Sequence, residues 1–132
     1  MKSREQFLKT VNHKQPDRLV VDLGSTGVTG IHVKTVSNLR RHYGLQRKPI
    51  RVIAPFQMLG EVGWELVDSL GIDVIGAWSR DNMFGFHNHA PYKEWKTPWG
   101  QRVMVPLNFN VTTDESGNVY MHPEGDTSIP AS

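Results

Sequence analysis

The chain has 132 residues, enough to bury a core but far short of the ~250 residues of a complete eight-stranded α/β barrel. Fifteen Lys and Arg against thirteen Asp and Glu give a net charge of +2 that is spread along the sequence, so neither nucleic acid nor an anionic membrane is implied as a partner. The absence of cysteine excludes disulfides, thiolate nucleophiles and cysteine-based metal centres. With no apolar leader-like stretch at the N-terminus and no long apolar run elsewhere, it points to a cytoplasmic protein with no membrane partner.

Ser3 with Gln6 three residues on forms a capping box, and Phe7, Leu8 and Val11 then share a helical face until Pro16, which predicts a first helix over about residues 4–13. Asp17-Arg18 turns the chain into residues 19–23, an apolar run of the kind found in strands covered on both faces. The next segment, Gly24-Ser25-Thr26-Gly27-Val28-Thr29-Gly30-Ile31-His32, carries a glycine at every third position. A strand that opens onto such a loop before a helix is where α/β folds place ligands. The spacing Gly-x-x-Gly-x-x-Gly matches neither the dinucleotide fingerprint nor the phosphate loop, so no nucleotide is indicated.

Val33, Val36, Leu39 and Tyr43 recur at three- and four-residue steps and predict a second helix closed by Gly44. Residues 50–53 read as a brief strand before Pro55. Leu59, Val62, Leu66 and Leu70 predict a third helix closed by Gly71, and residues 72–78 read as another apolar strand. Strand, helix and strand in this order imply a right-handed parallel βαβ unit. From about Tyr92 short alternating runs take over. One covers residues 102–105, and residues 110–113 pair with 118–121 across the turn Asp114-Glu115-Ser116-Gly117. The final residues hold no periodic element.

Asp22, at the strand end, is a candidate proton acceptor or holder of a cationic group, or else bonds its own loop in an Asx turn. Gly24, Ser25 and Thr26 offer close backbone approach and short hydroxyls to a substrate. His32 is a candidate acid or base, or a helix cap. Ser79, Arg80 and Asp81 follow the later strand and either share the expected mouth, where Arg80 suits a carboxylate, or form a solvent-exposed loop. His87 and His89 lack an evident third ligand, so no metal is expected. Glu61 and Glu65, one helical turn apart, read as a solvated face, and Trp95 and Trp99 as a small core under the β segment.

Three strings come in order: Asn12-His13-Lys14-Gln15-Pro16-Asp17-Arg18, then Val21-Asp22-Leu23-Gly24, then Leu70-Gly71-Ile72-Asp73-Val74. Together they resemble the N-terminal part of the uroporphyrinogen decarboxylase superfamily, which also includes corrinoid-linked methyltransferases. The resemblance implies an α/β fold, the N-terminal part of a (β/α)8 TIM barrel with an antiparallel β insertion. Residues 1–91 would be its first βα units, residues 92–122 the insertion and residues 123–132 a loop at a truncated end.

It further implies decarboxylation of tetrapyrrole carboxylates through an acidic group, without an organic cofactor and with the missing C-terminal barrel segment required for activity. Position at the strand end assigns that group to Asp22, and His32 stands as the second catalytic candidate. The decarboxylase proper carries two arginines in the loop after its first strand, and here residues 24–28 hold none. Its second strand ends in Ser-Asp, whose displaced counterpart here is Ala77-Trp78-Ser79-Arg80-Asp81. The alternative within the superfamily is a corrinoid-dependent methyltransferase acting on a methyl donor, with zinc held by residues beyond this sequence. A different class of reading is an independent small α/β module that binds a ligand or partner without catalysis.

Overall fold

A computed structural model describes residues 2–89 and 91–131. Among them the elements run α1 (Ser3–Val11), α2 (Val33–His42), β1 (Ile50–Ala54), β2 (Leu59–Gly60), α3 (Trp64–Leu70), β3 (Tyr92–Lys96), β4 (Arg102–Pro106), β5 (Val111–Thr113), β6 (Val119–Met121) and a 3-10 turn at Pro123–Gly125. The architecture is mixed α/β, with a four-stranded sheet of order β2-β1-β4-β3 and a separate β5-β6 hairpin.

Helix α1 starts one residue earlier than the sequence suggests. Lys2 is its N-cap, and Glu5 rather than Gln6 reaches back, accepting the Lys2 N–H at 3.0 Å. Gln6 is instead buried, and its Oε1 accepts the Asp17 N–H at 2.9 Å, which ties the helix to the turn that follows it. Phe7, Leu8 and Val11, expected to face a core, remain about half exposed.

Helix α2 matches its periodicity: Val33 and Val36 are fully buried, and Gly44 follows the Tyr43 cap with φ 66°. Helix α3 begins later than expected because Leu59-Gly60 turns back as β2 against β1, pairing Gly60 with Val52. A Cβ at Gly60 would lie 3.0 Å from the Val33 Cα, so a side chain there would crowd the start of α2. The left-handed cap at Gly71, φ 65°, ends α3 as predicted.

Strand β1 runs parallel to β4, with Ile50 opposite Val103, and β4 is antiparallel to β3. One sheet therefore joins segments on both sides of residue 92. Its core packs Val33, Val36, Leu66, Phe86, Val103 and Val105, none of which exposes any surface. The β5-β6 hairpin forms as the Asp114–Gly117 turn predicts, with Asp114 Oδ1 accepting the Ser116 and Asn118 N–H groups at 2.9 Å. No helix among the described residues is long and apolar enough to cross a membrane.

Residues 19–23 and 72–78 do not build a ladder. They meet at a single parallel bridge, Asp22 with Val74, and Asp73 N–H donates to the Val21 carbonyl at 2.8 Å. The physical reason lies in their faces. Leu19 is 85% exposed and Ile75 53%, whereas parallel strands need cover on both sides.

What holds the two segments together is a fork. Arg18 donates to both oxygens of Asp73, at 2.6 and 2.7 Å, and the Val21 N–H adds a third bond at 3.0 Å. The Asp73 side chain has no exposed surface, and Arg18 holds its carboxyl well below the usual carboxylate range, with the Val21 N–H and the Ser3 hydroxyl adding to the effect. Because the folded pKa is depressed, the contribution is present above an unfolded value of about 4 and fades as the pH falls below it. Asp73→Ala should cost about 1–2 kcal/mol in urea melts at neutral pH, the screened end of the range for a charged pair whose Arg18 half faces solvent. The gap from wild type should narrow as the pH falls below about 4, and a gap that stays constant would contradict the assignment.

Candidate functional site

The glycine loop closes on Asp22. Its carboxylate accepts the Ser25 hydroxyl at 2.6 Å, the Ser25 N–H at 3.3 Å and the Thr29 hydroxyl at 3.2 Å. Thr26 and Thr29 hydroxyls lie 3.2 Å apart, and Gly24, at φ 86°, donates its N–H to the Thr29 carbonyl at 2.8 Å. The Asx-type bond foreseen for Asp22 is thus formed, in a compact turn of hydroxyls and backbone. Asp22 remains exposed, so its carboxylate is held in position yet open to solvent.

A cavity of about 130 Å³ lies where residues 19–23, β1 and residues 72–78 all end, lined among others by Gly24, Glu61, Trp64, Gly76 and Trp78. Convergence of strand ends is the arrangement that α/β folds use for ligands. The volume falls below the ~300–1,000 Å³ usual for small-molecule sites, so the mouth is only partly walled. Gly76 fits because a Cβ there would overlap the Ser25 carbonyl oxygen and stand 2.8 Å from Trp78 Nε1. Backbone meets backbone at that point, which couples the glycine loop to residues 74–78.

Glu61, taken from sequence as a solvated helical residue, precedes α3 and lines this cavity. Arg51 holds it through two bonds, at 3.0 and 2.8 Å. The signal that places it was the pair Gly60 and Gly63, which interrupts the helical pattern begun at Leu59. Glu65, one turn further on, pairs with the buried Arg40 at 2.9 Å and with Lys48 at 3.2 Å, and these two cations, Arg40 foremost, lower its pKa to about 2. That network anchors α3 to α2 and so fixes the wall that carries Gly63 and Trp64.

The other expected site residues lie elsewhere. His32 is the N-cap of α2: its Nδ1 accepts the Lys34 N–H at 3.2 Å and its ring packs 5.1 Å from that of Trp99. None of these partners belongs to the Asp22 cluster. Ser79 donates its hydroxyl to the Asp81 carbonyl at 2.7 Å, and Arg80 lines a second cavity together with His87 and His89. Asp22, Gly24, Ser25 and Thr26 therefore form one group, while Ser79 with Arg80 and His32 are two others.

Comparison with known protein families, with curated proteins and with solved structures finds no match. Gly76→Ala should push the glycine loop away and cost about 1–3 kcal/mol, the usual range for overpacking. Gly27→Ala, with nothing within 4 Å of the added carbon, is the control and should shift stability by no more than about 0.5 kcal/mol. Equal melting temperatures for the two variants would remove the close approach from the account.

Proposed function

We propose that this chain is the N-terminal portion of a uroporphyrinogen decarboxylase-like (β/α)8 barrel and that its catalysis depends on the remaining strands. The observation that supports the reading is the parallel approach of residues 19–23 and 72–78 at the single Asp22–Val74 bridge. Two of the three strings that suggested the family meet there side by side and border the same cavity, with α2, β1, β2 and α3 between them in sequence. Parallel strands of a barrel have this relation, and β1, which lies between them in sequence, pairs with β2 and β4 rather than with residues 72–78 as the expected βαβ unit required. The uncovered side chains of Leu19 and Ile75 mark where further elements would pack.

In such a decarboxylation a proton adds to a pyrrole carbon, and the bond between the side-chain methylene and its carboxylate breaks so that its electron pair neutralises the cationic ring as carbon dioxide leaves. The methylene then takes up a proton while the ring carbon gives one back. An anionic group near the ring stabilises the cation in between. Asp22, held by Ser25 and Thr29 and next in sequence to the cavity-lining Leu23 and Gly24, is the acidic group this reading assigns to that role.

One observation favours methyl transfer within the same superfamily. Among the described residues none that lines the 130 Å³ cavity is cationic, and a polyanionic tetrapyrrole bound without guanidinium groups forgoes its strongest contacts. Among the described residues no group of three or more His, Cys, Asp or Glu is placed to hold a metal, so zinc ligands for such a reaction would come from outside these segments.

The test has two arms. The gene read beyond codon 132 should continue into further strand–helix units, and the complete product should either convert uroporphyrinogen to coproporphyrinogen or move a methyl group between methylcobalamin and a thiol. Purified residues 1–132 should do neither and should associate in sedimentation. A monomer with a sharp cooperative melt would instead establish the independent ligand-binding module.

A further inference from the structure

Residues 79–89 fold into a tight hairpin. Asn88 N–H donates to the Arg80 carbonyl at 2.8 Å, Asn82 N–H donates to the Phe86 carbonyl at 2.9 Å, and Asp81 bridges His87 between them. Two buried side chains secure it. Phe86 has no exposed surface, and Asn88 donates Nδ2 to the Ser79 carbonyl at 2.8 Å. His87 and His89 are exposed and flank the buried Asn88.

Arg80, His87 and His89 line one cavity of about 300 Å³, to whose wall Pro91, Leu107 and Asn108 also contribute among the described residues. Its polar groups are prepared. Asp81 engages His87 through Nδ1, which orients the ring and leaves Nε2 for a ligand. Arg80 is 84% exposed and its Nε is 4.0 Å from Asp81 Oδ2, beyond hydrogen-bond range, so the guanidinium keeps its donors. Leu107 is 53% exposed beside them. Asn108 donates Nδ2 to the Gly85 carbonyl at 3.2 Å, which fixes this part of the wall against the hairpin turn.

We propose that this cavity binds a small carboxylate carrying an apolar ring or chain. The guanidinium of Arg80 takes the carboxylate, the two imidazoles stand beside it as further hydrogen-bonding groups, and the apolar body covers Leu107 and Pro91. The inference stands apart from the barrel reading, because it uses none of the residues of the Asp22 mouth.

Benzoate is the probe, with inorganic phosphate as an oxyanion that lacks an apolar body. Titration of the purified chain, followed by the imidazole Cε1–H resonances of His87 and His89, should show saturable benzoate binding with a Kd on the order of 1 mM. Arg80→Gln should weaken it about tenfold, with an unchanged melting temperature because the side chain is exposed. Leu107→Asp should weaken benzoate as well, and phosphate should bind several-fold more weakly than benzoate. Absence of saturation, an affinity indifferent to Arg80→Gln, or equal affinities for benzoate and phosphate would each overturn the proposal.

Discussion

The Arg18–Asp73 fork sets the geometry on which the mouth depends. It joins residues 55 positions apart, and the same carboxylate also takes the Val21 N–H. With Asp73 fixed against Val21, Asp22 falls opposite Val74, and the glycine loop comes to rest on Gly76. Hydrophobic burial positions these segments only in part, since Ile72 is buried while Leu19 and Ile75 face solvent. A planar guanidinium gripping a fully buried carboxylate supplies direction where a sheet ladder is missing.

Elements whose signal is local were legible in the sequence. The period of Val33, Val36 and Leu39 with Gly44 gave α2, and the acid and glycine of the Asp114–Gly117 turn gave the β5-β6 hairpin. Signals that depend on distant partners were not. Ser3 and Gln6 satisfy a capping pattern, yet Gln6 is spent on Asp17 across 11 residues, and Glu5 closes the helix instead. Leu59 fits a helical period and nevertheless pairs with β1, because Gly60 can come close to Val33. The parallel pairing of β1 with β4 spans more than 50 residues, and no short window contains it.

The candidate site divides the same way. Asp22, Ser25 and Thr26 lie within five residues of one another, and their clustering followed from the loop itself. Arg18 and Asp73 both stood in the strings that carried the family resemblance, but their bond was visible only once the chain was folded. Arg80 was expected at the mouth because it follows the residue 72–78 segment. The hairpin pinned by Asn88 instead turns it toward His87 and His89. Glu61 was hidden by the helical period that Leu59 seemed to begin.

The placement of β1 beside β4 also bears on how the polypeptide matures on the ribosome. When residues 50–54 leave the exit tunnel, their hydrogen-bonding partner, residues 102–106, has not yet been translated. Only the two-residue return at Leu59-Gly60 is available to shield one flank of that strand in the interval. Non-local pairing of this kind slows acquisition of structure, so the nascent chain passes through a window in which a sticky β flank is on offer to neighbours and to holdase chaperones.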